Sequence, residues 1–225
     1  MIRRLAVTFC APVVLGAASV ANGAVVFQNL GTAAPPAAVG TYMMSPFDTA
    51  PQAAIPDTTL VTTIPGSPIA GSLTSSVQLY KDTVPATWGT WSHGYTGPAF
   101  DTNLALSTVL TLPPNAGAFY FYAEPFNFGS FTIQAVTDSG TSSGPVVVNG
   151  NAGATGFAFY TTAGESIATI TITGGAGSSG FAMAEFAIAT SVKPIPVLGP
   201  WGLTAAIVTL LAVGLLMLRG REGVA

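Results

Sequence analysis

Charge is the scarcest ingredient of this 225-residue sequence: Asp, Glu, Lys and Arg make up 7% of it, where about a quarter is usual for a soluble domain. Histidine occurs once, at His93, and cysteine once, at Cys10. One imidazole and one thiol do not supply a usual zinc site. So few charges also argue against a solvated disordered chain, and 26 Gly and 17 Pro argue against a helical bundle. What is abundant is apolar: hydrophobic residues are 49% of the chain, and the mean hydropathy is +0.58. A pI near 4.8 excludes nucleic acid as a partner.

The placement of the charges says more than their number. Arg3 and Arg4 stand near the start, Arg219 and Arg221 near the end, and only Lys81 and Lys193 lie between. From Val25 to Lys193 eight acids face those two lysines, a formal charge of −6. Such a surface repels phosphate backbones and anionic lipid headgroups. Met1 to Arg4 is a short cationic head, Leu5 to Val20 an apolar stretch interrupted by Pro12, and small residues follow. This is the grammar of a signal peptide, and residues 1–24 are assigned to it. Cleavage after Ala21, with Ser19 at −3, or after Ala24, with Asn22 at −3, meets the small-residue requirement, and side-chain size favours the first. Cys10 lies inside the apolar stretch, so the mature chain carries no thiol nucleophile and no disulfide, and burial alone must stabilise it.

The other end is equally directed to a membrane. Trp201 to Leu218 is eighteen residues without a charge, about 27 Å as a helix, enough to cross a hydrocarbon core. Arg219 and Arg221 follow at once, and the positive-inside rule keeps them cytoplasmic, placing what precedes Trp201 on the outer face. Immediately before the span stand Ile195, Pro196, Val197, Leu198, Gly199, Pro200, Trp201 and Gly202. This layout of short motif, hydrophobic helix and basic tail resembles a C-terminal sorting domain of the PEP-CTERM type, recognised by exosortases. The nearest variant is IPTL-CTERM, which reads Ile-Pro-Thr-Leu, two variable residues, then Trp-Gly. Ile195, Pro196, Leu198, Trp201 and Gly202 match it, and Val197 replaces the threonine. The resemblance covers residues 191–225 and implies a substrate of a sorting enzyme: a precursor anchored in the inner membrane of a Gram-negative-type bacterium, processed by signal peptidase and an exosortase-type enzyme, and mature at the cell surface or outside the cell. Prolines around the motif hold it extended for a membrane-embedded partner.

Between these signals, residues 25–190 read as an exported all-β domain. Ala33 to Pro68 is rich in Pro, Ala and Thr without helical period, and is expected to be irregular or in short strands. Strands are expected over Ser75–Tyr80, Leu104–Leu112, Ala118–Ala123, Phe131–Thr137, Pro145–Val148, Gly156–Tyr160, Ile167–Thr173 and Phe181–Ile188. Turn formers separate them, among them Pro113-Pro114-Asn115, Asp138-Ser139-Gly140, Asn149-Gly150-Asn151 and Gly174-Gly175. Short strands at this spacing predict an antiparallel β-sandwich, jelly-roll or Ig-like. Phe119 and Phe121 alternate with Tyr120 and Tyr122, as a central core strand would.

Candidate chemistry is concentrated in Trp88-Gly89-Thr90-Trp91-Ser92-His93-Gly94-Tyr95. Exposed on a Gly-rich loop, Trp88, Trp91 and Tyr95 would stack on sugar rings, with His93 and Asp101 bonding hydroxyls; buried, the two indoles would cap the sandwich core. A nucleophilic triad would need His93 with Ser92 or another serine and an acid, yet no serine stands in a Gly-x-Ser-x-Gly context. Asp101, Glu124, Glu165 and Glu185 could be paired for glycoside hydrolysis, as carboxylates of any acidic domain could. Asp138-Ser139-Gly140 lacks the further acids of a calcium loop and reads as a turn. No metal or cofactor is expected. The domain is therefore expected to be a non-catalytic surface or matrix protein, the alternative being a lectin-like module that binds exopolysaccharide.

Overall fold

The structure, a computed structural model, describes residues 24–191. Nearly all of the expected leader, the sorting motif Ile195–Gly202, the apolar span and Arg219 and Arg221 lie outside the described residues. The described chain is all-β, as the alternation predicts. In chain order it forms β1 (Val25–Gly31), β2 (Ala38–Val39), β3 (Tyr42–Met43), β4 (Ser45–Pro46), the helix α1 (Thr49–Ala53), β5 (Leu60–Ile64), β6 (Leu73–Val84), a 3-10 turn (Ser92–Gly94), β7 (Gly97–Asp101), β8 (Ser107–Thr111), β9 (Ala116–Pro125), β10 (Ser130–Thr137), β11 (Val146–Asn149), β12 (Thr155–Thr161), β13 (Thr169–Gly174) and β14 (Phe181–Thr190).

Each of the eight runs expected as strands overlaps one, and several strands extend beyond the expected bounds. Three longer strands are additional: β1, β5 and β7. The stretch 33–68 is more ordered than its composition suggests. It holds the β2–β3 hairpin, β4, β5 and the short helix α1, whose first turn is capped by Asp48 Oδ1 accepting from the Ala50 N–H at 2.9 Å. Strand β7 escapes a reading by composition because its Gly97 and Pro98 look like turn formers, although Pro98 pairs with Thr83 of β6.

Twelve strands form one continuous antiparallel sheet in the order β1-β12-β9-β14-β7-β6-β8-β13-β10-β11, with β4 beside β14 and β5 beside β6. The sheet curls over itself at β6, which is twelve residues long and hands one end to β7 and the other to β8. Phe119 and Phe121 of β9, Phe157 and Phe159 of β12 and Ile188 of β14 then meet Leu110 of β8, Ile133 of β10 and Ile170 and Ile172 of β13 in one buried cluster. The Phe121 and Phe157 rings stack at 5.4 Å. Burying each such side chain contributes roughly 1.5–3 kcal/mol.

Strand β9 is the centre of the molecule, and all ten of its residues are buried. Its outer side, with Ala118, Tyr120 and Tyr122, joins Ala158 of β12 and Ala182, Ala184 and Ala187 of β14 in a second buried cluster. These alanines leave a low floor, and two segments lie across it: the β2–β3 hairpin and the stretch between β6 and β7. The hairpin is pinned by Tyr42 Oη, 2.7 Å from Thr161 Oγ1. At its turn, Gly40 has φ +57° and lies so close to the Tyr160 ring that a Cβ there would fall within 2.6 Å of it.

Candidate functional site

The segment between β6 and β7 contains the aromatic run singled out in the sequence, and it lies face down. Trp88 is 7% exposed and Trp91 5%. A buried indole must find an acceptor for its N–H, and the floor supplies one carboxylate to each. Trp88 Nε1 donates to Glu124 Oε2 at 2.9 Å and Trp91 Nε1 donates to Glu185 Oε2 at 2.8 Å. Glu124 has no exposed surface and also accepts from the Gly153 N–H at 3.1 Å and the Thr90 hydroxyl at 3.2 Å. Burial pushes its carboxyl pKa upward, and these donors oppose the shift.

Glu185 reaches its indole because the backbone bends for it. The β9–β14 register slips between Ala184 and Ala187, and Glu185 within that bulge has φ +56°. Across from it His93 has φ +43°, and its Nε2 lies 2.9 Å from Glu185 Oε1. His93 Nδ1 lies 2.8 Å from Ser92 Oγ and 3.1 Å from the Thr32 carbonyl. A carbonyl and a carboxylate only accept, so the ring bonds both at once when each nitrogen carries hydrogen. The structure thus joins Ser92, His93 and Glu185 in one chain of hydrogen bonds, but Ser92 is 2% exposed and lines none of the pockets described below.

Tyr95 packs on Trp91 with ring centroids 5.9 Å apart and donates to the Pro98 carbonyl at 2.9 Å. Beside it a pocket of about 200 Å³ is lined by Phe47, Gln52, Tyr95, Tyr120 and Glu185, among others. Burial, then the Glu185 charge, pushes the Tyr120 phenol up to about 12 and raises Tyr95 and Tyr122 as well. All three phenols are therefore neutral donors near neutral pH.

Asp101 lies elsewhere. It lines a roomier pocket of about 610 Å³ with Tyr80, Asp82, Thr87, Trp88, Asn103 and Phe126. The register opposes Tyr80 to Asp101 and Asp82 to Ala99, so Tyr80, Asp82 and Asp101 share one face of the β6–β7 pair. Burial, then the charge of Asp82, pushes Asp101 up to about 7, against the backbone N–H groups of Asn103 and Thr102. Lys81 alternates away from this face and pairs with Asp57. Three lining residues, Thr58, Asn103 and Leu104, hold positive φ without being glycine. Phe126 and Leu104, which line this pocket, also expose apolar surface.

The five residues expected to bind glycan therefore fall into two groups: Trp91, His93 and Tyr95 around Glu185, and Trp88 and Asp101 at the larger pocket. Both indoles are buried as whole residues, although Trp88 borders the larger pocket. Asp82 and the bulge at Glu185 escape sequence reasoning, because an acid two residues after a tyrosine and an acid in an Ala-rich strand carry no pattern of their own. Asp138 sits in a turn closed by the Gly140 N–H donating to the Thr137 carbonyl at 2.9 Å. Among the described residues no three His, Cys, Asp or Glu side chains converge as metal ligands, and no helix is long and apolar enough to cross a membrane. Comparison with protein-family models, curated proteins and solved structures finds no match to this chain.

Proposed function

We propose that this chain is an exported protein of the cell surface or extracellular matrix, matured by signal peptidase and by an exosortase-type enzyme, whose β domain is non-catalytic. The observation that carries the proposal is the order of signals at the end of the sequence: Ile195, Pro196, Leu198, Trp201 and Gly202, the uncharged span to Leu218, then Arg219 and Arg221. The helix holds the precursor in the bilayer, the arginines fix its orientation, and the motif is what the sorting enzyme reads. The domain itself supports the reading in two ways. It fills two buried layers without a disulfide, as a protein outside the cytoplasm with no mature cysteine must. Its aromatic run serves packing, with both indole N–H groups bonded to carboxylates. The two facing halves of the curled sheet favour a β-sandwich of jelly-roll or Ig-like type.

The test is fractionation of a tagged chain with mass spectrometry of its mature ends. The expected result is a product outside the cytoplasmic membrane that starts after Ala21 or Ala24 and has lost the span. Replacing Pro196 and Trp201 by Ala, or Arg219 and Arg221 by Glu, is expected to leave an uncleaved or misoriented precursor. Normal maturation of both variants, or a full-length cytoplasmic product, would refute the proposal.

A further inference from the structure

We propose that the pocket beside Tyr95 binds a small alkylated ammonium ion of the choline class, held between aromatic walls and the Glu185 carboxylate. Phe47, Tyr95, Tyr120 and Phe186 are its aromatic lining. Glu185 is the one charged residue there, and no Lys, Arg or His lines the pocket with it. Two polar groups are left open beside them. Gln52 and Tyr120 are each 2% exposed, and both line the pocket. The Gln52 amide nitrogen donates to the Pro65 carbonyl at 3.0 Å, which leaves Oε1 as its free acceptor. Neither Gln52 Oε1 nor Tyr120 Oη bonds a described residue, yet neither is sealed in. Among the described residues, the enclosed side-chain atoms without a partner are Asp101 Oδ1 and Ser178 Oγ. Gln52 Oε1 and Tyr120 Oη therefore keep accessible surface, and the pocket is where their residues reach it.

The lining selects the ligand. Aromatic rings attract a cation through their quadrupole, and a carboxylate, an amide oxygen and a phenol present further negative or accepting groups. Burial first, and the Glu185 charge second, raise the Tyr120 and Tyr95 phenols, so that charge is felt at the rings. Trp91 Nε1 and His93 Nε2 hold the two Glu185 oxygens in place, and a neutral imidazole donating from Nε2 leaves the charge uncancelled. An inorganic cation would find too few oxygens here to replace its water, whereas an alkylated ammonium ion carries its own apolar coat. Size sets the limit. The volume of about 200 Å³ is a little above that of a cavity that takes one benzene, about 150 Å³, and below the roughly 300 Å³ at which drug-sized sites begin.

The full chain, purified in a maltoside detergent, is titrated in mildly alkaline buffer with choline chloride while saturation transfer to the N-methyl protons is read. A parallel titration uses dimethylbutanol, the uncharged isostere in which carbon replaces nitrogen. A head group of this size is expected to bind with Kd about 10⁻³ M, and the alcohol about tenfold more weakly, the share that charge contributes at a desolvated ring. Phosphocholine is expected to bind more weakly than choline, because its phosphate meets an acidic surface. Glu185→Gln is expected to abolish the preference for choline over the alcohol, Tyr120→Phe to weaken choline several-fold, and Phe128→Ser to change neither. Circular dichroism checks that each variant is folded; if Glu185→Gln is not, Tyr120→Phe and the wild-type comparison decide. Equal affinity for choline and the alcohol would overturn the proposal, since the pocket would then take any apolar body. Absence of saturation transfer to choline would overturn it too, as would a preference undiminished in both pocket variants. Equal binding of phosphocholine would overturn the assignment to a free ion in favour of a lipid head group.

Discussion

The two faces of β9 are both buried, but by different means. On the inner side Phe119 and Phe121 join a cluster of apolar side chains from the facing half of the sheet. On the outer side Tyr120 and Tyr122 lie on a floor of alanines under Trp88 and Trp91, each joined to a buried or nearly buried carboxylate. The inner layer is held by shape and water exclusion, where a lost side chain costs transfer energy and a cavity. The outer layer adds polar matching, where a lost partner leaves a buried donor with nothing to bond. The contrast teaches that a chain with little charge can still depend on individual charges when they are the acceptors of its indoles.

The largest effect is expected on the inner side. Phe121→Ala should lower stability by about 3–5 kcal/mol, the range for truncating a core Phe, as read from denaturant unfolding. Next comes the outer side. Glu124→Ala removes the acceptor of Trp88 Nε1 and of the Gly153 N–H and should cost roughly 1–3 kcal/mol. Glu124→Gln should cost less, because its remaining side-chain oxygen can still accept from Trp88. If Glu124→Ala were neutral, the outer carboxylates would not be structural and the contrast would collapse.

A subtler difference is set by pH. Asp101, pushed up to about 7 by burial and by Asp82, holds its proton in the folded state after the unfolded chain has released it near pH 4. A group raised in this way contributes stability that is complete below its unfolded value and is lost as pH rises through its folded value. Burial shifts Glu124 in the same direction. Wild type should therefore be less stable at pH 7.5 than at pH 5, and Asp101→Asn should flatten that slope. The smallest effect is expected at the rim: Phe128 is 72% exposed, and Phe128→Ser should stay within about ±0.5 kcal/mol.

The same contrast explains how far the sequence could be read. Inner-face positions announce themselves by alternation, and Phe119, Phe121, Ile170 and Ile172 could be placed inside from spacing alone. The outer layer could not, because a strand buried on both faces shows no polar alternation and its covering segments are written in Gly, Pro, Thr and Ala, the composition of loops. Trp88, Trp91, His93 and Asp101 stood out as residue types, but their division into two groups depends on the bulge at Glu185 and on the β6–β7 register. Neither leaves a mark in local sequence. Nor does the pairing of Asp82 with Asp101, which are nineteen positions apart and meet only because Tyr80 is opposite Asp101.

The aromatic run is a structural layer, and Trp91→Ala tests that directly. Thermal and denaturant unfolding of the variant should show a loss of about 3–5 kcal/mol, the cost of removing a buried Trp, with retention on exopolysaccharide no different from wild type once both are folded. An unchanged melting temperature together with lost polysaccharide retention would contradict a structural role and make Trp91 a sugar platform.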